Sequence, residues 1–252
     1  MEKDQLKEVI RELKSRSDLS AVRHRTQALL RSVDPKVLSL AEQELLQEGF
    51  SQDELRKLCD IHLEPLLGNI DGKAENNPTH PVTILQEEHK AIQAYLSDLE
   101  RITNKLGTEA NVKPSQNDVA ELRTISQMLV EAESHHKREE AALFPRLEQH
   151  GVTGPPAIMR LEHDELRKRK KALKEVVEAA DKLSQEEFDR QLKHLADYIV
   201  PTLRSHIFKE DNVLYPTALR TLSESEWPSM RSEFDKIGYC PFTPKHVLVR
   251  NQ

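Results

Sequence analysis

The sequence is short of cysteine, glycine and aromatic side chains, and it contains no long apolar run. Each shortage removes a class of protein. Two cysteines, Cys59 and Cys240, cannot build a disulfide framework, so the chain reads as one kept in a reducing compartment. Seven glycines and 4% aromatic residues argue against an all-β fold. No stretch approaches the roughly 20 apolar residues of a membrane span. The opening MEKDQLKEVIREL is charged and helical, unlike a secretory signal. No membrane partner is expected, and the cytoplasm is the default location. A net charge of −6 without a long basic run points away from nucleic acid.

What the chain does have is charge and helical periodicity. Charged residues make up 32% and apolar residues 37% of its 252 positions, a balance that suits amphipathic helices with narrow apolar stripes in one or two domains. Residues 1–72 read as a small helical domain. Asp34-Pro35 is a helix start, Gly49 a helix end, and Ser51 with Glu54 a capping box opening a helix that carries Leu55, Leu58, Cys59, His62 and Leu66. Cys59 and His62 could share a ligand, although a buried thiol beside a hydrogen-bonded histidine explains the pair more simply. The run GNIDGKAENNPTH at 68–80 is a linker by composition.

Four long helical stripes follow over 78–222, with short connections between them, which predicts an all-α, up-down-up-down four-helix bundle. The first opens at Pro81 and carries Val82, Leu85, Ile92, Leu96, Leu99 and Leu106; the missing member of its seam, position 89, is a histidine. The second runs from about Asn117 to His150, with Pro145 expected to kink it. The third starts at Pro155-Pro156 and shows Met159, Leu166, Leu173 and Val177, again with a histidine, His163, inside the stripe. The fourth is introduced by Ser184 and includes Pro201, expected to distort it. Residues 223–252 read as a short helix through Trp227, Met230 and Phe234, with Ser223 and Glu226 as its cap, and then a tail that packs on the bundle, the N-terminal domain or a partner.

The chemistry lies in a duplicated phrase. HHKREEAALFP at 135–145 matches HIFKEDNVLYP at 206–216 with a constant offset, 206 − 135 = 71. His135 pairs with His206, Glu139 with Glu210, Glu140 with Asp211, and Phe144 with Tyr215. The helices before them echo each other too: EEHKAI around His89 and LEHDEL around His163, 163 − 89 = 74. Residues four apart share one helix face. His89, His135 and Glu139 therefore form one donor set, and His163, His206 and Glu210 a second. Buried carboxylates need a cation or a paired base. Imidazole with carboxylate suits iron, manganese or zinc. Six such ligands suit two ions bridged by the two glutamates, with bridging hydroxide or water completing the charge and positions left open for a small molecule. A zinc peptidase would need His-Glu-x-x-His, which is absent. Ferritin-like sites use Glu-x-x-His twice; Glu133 and His136 have that spacing, but the second half lacks it. A haem held by two histidines would leave the glutamates without a role.

These spaced motifs, over about residues 78–222, resemble the hemerythrin-like, HHE cation-binding family. The resemblance implies a non-haem di-iron centre in a four-helix bundle, with a bridging oxo or hydroxo group and a diatomic molecule or peroxide as its ligand. Residues 1–70, with the phrase LCDIHLEPL, resemble an uncharacterised helical domain found upstream of such bundles. Two departures stand out. Oxygen carriers of the family have a second histidine one turn after the third-helix ligand, where this chain has Arg167; their last acid falls five residues after the fourth-helix histidine, at Asp211 here, rather than four, at Glu210. A shell poorer in histidine shifts the expected role from oxygen carriage toward a sensor of oxygen, nitric oxide or redox state, relaying to a protein partner through residues 1–72. The alternative is a di-iron oxidoreductase acting on peroxide, oxygen or nitric oxide; the third reading is a helical protein without metal. His136, His80, Glu140 and Asp211 are spare candidates, His80 more simply a helix cap. His150 and His194 read as surface residues, and His24 and His246 have no ligand context.

Overall fold

A computed structural model describes residues 77–108 and 114–249, together with Lys7. The expectations for residues 1–72, including Cys59, His62 and His24, lie outside the described residues. So do most of the linker and the loop at 109–113.

Four helical rods make the bundle. The first is α1, Pro81–Thr108. The second is built from α2, Gln116–Glu131, then α3, Glu133–Arg138, a π-helical turn at Glu139–Leu143, and α4, Phe144–Gln149. The third is α5, Gly154–Glu178. The fourth is α6, Gln185–Lys209, a second π turn at Glu210–Leu214, and α7, Tyr215–Thr221. Each rod packs on its two neighbours in chain order, the first also meeting the fourth. A last helix, α8, Glu226–Ile237, lies across the first and second rods, and a 3-10 turn, Lys245–Val247, follows. Among the described residues there is no strand, and no helix is long and apolar enough to cross a membrane.

The ends are set by local chemistry. Asn77 clasps the entry to α1: its side chain accepts from Thr79 N and Oγ1, and its carbonyl from His80 N. His80 then caps the helix, its Nδ1 accepting from Val82 N at 3.2 Å while its ring lies on Trp227. Ser115 and Asp118 form a capping box at the start of α2, a signal the sequence reading passed over. Ser184 caps α6 as expected. Ser223 and Glu226 do bond, but Glu226 clasps the Ser223 backbone and hydroxyl ahead of α8 and the cap position falls to Ser225.

The prolines behave unequally. Pro201 sits inside unbroken α-helix, against the expected distortion. Pro145 does perturb its rod, but by widening a turn. The amide of Phe144 reaches back five residues to the Glu139 carbonyl, and that of Tyr215 does the same to Glu210. A π turn inserted in α-helix re-aims the side chains around it. Both π turns begin on a glutamate of the repeated motif, and both end two residues before a proline, Pro145 or Pro216.

Two apolar clusters fill the bundle, one at each end. One holds Ile92, Leu96, Leu99, Leu122, Leu129, Leu166, Leu173, Leu192 and Leu203. The other holds Leu85, Leu143, Phe144, Leu147, Met159, Leu214, Tyr215, Trp227 and Phe234. Each fully buried side chain of this size contributes about 2 kcal/mol. The buried layer between them is polar, and it contains all the repeated histidines and glutamates.

Candidate metal centre

All six residues of the two donor sets are buried, each no more than 2% exposed. Every rod delivers one histidine: His89 from the first, His135 from the second, His163 from the third, His206 from the fourth. The two π turns deliver Glu139 and Glu210.

Each histidine is aimed by a carboxylate on its Nδ1. His135 bonds Glu88 at 2.8 Å, His89 bonds Asp211 at 2.9 Å, His163 bonds Glu140 at 2.7 Å and His206 bonds Glu162 at 2.7 Å. An ionised carboxylate only accepts, so in a neutral ring the proton sits on Nδ1 and Nε2 is a bare lone pair. All four Nε2 atoms point inward. They meet in two pairs, His89 with His135 at 3.2 Å and His163 with His206 at 3.1 Å. Two neutral rings so arranged have no proton to share between those nitrogens. Nitrogens that ligate one ion at about 2.0–2.1 Å and at right angles lie about 3 Å apart, which is the spacing found.

The glutamates span the pairs. Glu139 Oε2 is 3.5 Å from Nε2 of both His135 and His163. Glu210 Oε2 is 3.1 Å from His89 Nε2, and its Oε1 is 2.8 Å from His206 Nε2. Glu139 Oε2 is buried without a hydrogen bond, and the ring of His206 can donate to Glu210 Oε1 only when it carries its second proton. Such oxygens cost about 1–3 kcal/mol each unless something else satisfies them. Tyr215 donates its hydroxyl to Glu139 Oε1 at 2.9 Å.

The electrostatics ask for positive charge. Burial alone would lower His89, but its bonds to Asp211 and Glu210 override it and hold the ring up at about 10. Burial and the neighbouring Glu210 push Glu139 well above the usual carboxylate range. Glu210 is held well below that range, against its burial, by His206, His163 and His89. His135 is pulled down to about 4 by burial. Without a cation, protons must crowd into this layer.

The outer carboxylates are anchored in turn. Burial would raise Glu88, yet His135 and Arg138 hold it down at about 2. Arg138, fully buried, contacts both Glu88 oxygens at 2.5–2.6 Å and lies against Phe234 and Tyr239, so α8 and the tail complete this side. Thr243 donates to the same carboxylate, and Cys240 is buried beside Ser134. Glu162 is likewise held down at about 2 by Lys209 and His206. Arg167 binds Glu133 and Glu140. The arginine that replaces the carriers' extra histidine thus holds the carboxylate that aims His163.

Three groups of ligand atoms lie within 4.8 Å of one another: His89, His135 and Glu210; Glu139, His163 and Glu210; His136, His163 and His206. The donor chemistry fits a borderline metal ion. A family model described as the hemerythrin HHE cation binding domain matches residues 80–218. The chain belongs to that hemerythrin family. A second model, a family of unknown function (DUF438), matches residues 6–72. Among curated proteins none matches this chain.

Of the spare candidates, Asp211 and Glu140 orient histidines, and His80 is a cap. His150 pairs with Glu226 near the surface, and His194 and His246 are exposed. The hemerythrin bundle also uses residues that the sequence reading passed over. Glu88 and Glu162 each precede a repeated histidine, and 162 − 88 = 74 is the offset already established. Arg138 and Lys209 repeat at 71, the offset of the motif that contains them. All four lie inside the repeated phrases themselves, so matching those phrases at every position finds them.

Proposed function

We propose that the bundle holds two iron ions and that the protein binds or senses a small oxidant or diatomic molecule through them. His89 and His135 serve one ion, His163 and His206 the other, and Glu139 and Glu210 bridge. The observation that carries this is the set of four carboxylate–imidazole pairs, which aim four Nε2 atoms and two glutamate carboxylates into one buried layer. Carboxylate–histidine pairing of this kind is what orients metal-bound imidazole. Iron bound there would supply redox change and open coordination positions for oxygen, nitric oxide or peroxide. Manganese and zinc suit the same donors. The chain's own part is to hold the rings in one tautomer, to exclude water with two apolar clusters, and to keep a phenolic proton, on Tyr215, against Glu139.

The decisive measurement is elemental analysis of the full-length protein after anaerobic loading with ferrous iron. Two equivalents are expected, falling in His135→Ala and His206→Ala. Failure to retain iron, manganese or zinc would overturn the reading. For the relay we propose residues 1–72 as a separate domain joined at 68–80, with α8 and the tail as a second route, because they contact Glu88 and Arg138. Oxygen exposure of the reduced protein should then alter protease cleavage within residues 1–80; an unchanged pattern would end the signalling role. The buried Tyr215 hydroxyl favours a second reading, an oxidoreductase with that phenol as proton donor. Turnover of peroxide, oxygen or nitric oxide, lost in Tyr215→Phe, would identify it.

A further inference from the structure

We infer that Lys170 makes the centre selective for small anions, the class that includes peroxide and superoxide, over neutral oxygen and nitric oxide. This rests on the reading that the bundle holds iron.

The internal repeat shows that the fold does not call for a lysine at this seat. The offset that relates His89 to His163 also relates Ile92 to Leu166, Leu96 to Lys170 and Leu99 to Leu173, 170 − 96 = 74. Every one of these residues is buried. Histidine matches histidine and the aliphatic seats match each other. Only one seat changes character, where leucine in the first rod gives way to an ammonium in the third. Burying an unpaired ammonium is expensive, and leucine at the matching seat packs there without that cost.

The ammonium faces the polar layer. Lys170 follows His163 by two helical turns on α5, and helical side chains lean toward the N-terminus of their helix. The long chain is thereby carried back toward the level of His163. The charged groups that act on it lie on that side: Glu133, Arg167, Cys240 and Glu210. Arg167 bonds Glu133 at 2.9 Å, and Glu133 comes within 3.8 Å of His136. The His136 ring in turn lies flat on His163, with ring centres 3.9 Å apart. Glu210 enters the centre itself, against His89 and His206.

The charge is left unpaired. Lys170 Nζ has no hydrogen-bond partner, and both oxygens of Glu133 already accept from Arg167. Burial lowers the lysine only to about 8, so it is charged at neutral pH. A buried charge acts over several ångström because its surroundings screen it weakly. It repels a metal ion, so it does nothing to hold one. What it favours is negative charge arriving beside the ions. A singly charged anion about 10 Å away gains about tenfold in affinity at an effective dielectric of about 20, and a neutral molecule gains almost nothing.

The test measures azide binding to the oxidised, iron-loaded, full-length protein and nitric oxide binding to the reduced one, both by absorbance. Lys170→Met and Lys170→Gln remove the charge, one with an apolar end and one with a polar end. Both should bind azide about tenfold more weakly and nitric oxide as tightly as the unaltered protein does. Zinc titrated into the metal-free proteins should bind more tightly to both variants, because a repelling charge is gone. Unchanged azide affinity would overturn the inference, as would equal losses for azide and nitric oxide, or zinc affinity that does not rise. Either variant decides the matter if the other fails to fold. Iron bound with azide affinity indifferent to Lys170 sinks only the role of the lysine; absence of bound iron from the unaltered protein sinks the reading of the centre as well.

Discussion

Lys170 sits where a bundle helix should present an apolar residue. The interior stripe of α5 is Met159, His163, Leu166, Lys170, Leu173 and Val177, all buried. The lysine is 2% exposed, and its Nζ has no hydrogen-bond partner. Burial lowers its pKa from 10.5 to about 8, with Glu133 pulling the other way. Below pH 8 both folded and unfolded chains carry the proton, and the folded state bears the full cost of a dry ammonium. Between about 8 and 10.5 the unfolded chain binds more protons, so stability climbs with pH; above that window the cost is gone. At about 1.4 kcal/mol per pH unit, the displacement from 10.5 to about 8 is worth about 3 kcal/mol. Lys170→Met keeps an unbranched chain of similar bulk and removes the ammonium. The variant should be about 3 kcal/mol more stable at pH 7, or roughly 6–12 °C higher in Tm for a chain of this size. Urea melts of both full-length proteins in chelator, at pH 7, 8, 9 and 10, should show the gap closing as pH rises. A gap that ignores pH, or a methionine variant less stable at pH 7, would refute the reasoning by showing that the ammonium is satisfied. Such a burden in a core is the kind of stability that proteins give up for function.

Three further outcomes follow from the same structure. Asp211→Ala and Glu140→Ala remove the partners of His89 Nδ1 and His163 Nδ1, and each should weaken metal affinity about 10–100-fold in a binding titration; equal affinity would deny these carboxylates their orienting role. Because Glu139 is pushed well above the usual carboxylate range by burial and by Glu210, it must give up a proton to become a ligand. Adding ferrous iron or zinc to weakly buffered apoprotein at neutral pH should therefore acidify the solution, with His89, held up at about 10, releasing a proton as well, and a flat pH trace despite binding would exclude both residues as ligands. Asp118 is held at about 2 by Lys105 and Ser115, below its ordinary 3.8. Its contribution is present above pH 3.8 and lost as pH falls toward 2, so Asp118→Asn should cost about 1–2 kcal/mol at pH 7 and nothing near pH 2, as read from paired denaturation curves.

The bundle was legible because its stripes keep one period for 20 residues or more, and interior histidines show as gaps in that period. The same logic exposes Lys170: the step from Leu166 to Leu173 skips a member just as the step from Leu85 to Ile92 skips His89. A lysine is easily assigned to solvent by type, and only the phase of the stripe says otherwise. The orienting carboxylates were hidden for a similar reason. Glu88 and Glu162 stand among charged neighbours, and nothing in composition separates an acid that bonds a histidine from one in water. The π turns have no signature in hydrophobic period. Pro145 and Pro216 hint at them, but Pro201, which α6 absorbs without widening, shows that proline alone does not specify one. The covering of Glu88 by Thr243 and of Arg138 by Tyr239 depends on a tail with no period, so it could be seen only in three dimensions.

The cross-connections explain why the repeat is needed at all. Glu140, in the first half, orients His163 in the second; Asp211, in the second, orients His89 in the first. Glu139 approaches His163 as well as its own His135, and Glu210 approaches His89 as well as His206. Each half aims one of its own histidines, His135 through Glu88 and His206 through Glu162, and depends on the other half for the second. Each π turn places two consecutive acids so that one enters the centre and the next reaches the opposite half's ring, which ties the register of the second rod to the third and of the fourth to the first. A shift of either rod by one residue would break an inner contact and an outer one together. The geometry of the centre is thus fixed by the packing of all four rods at once.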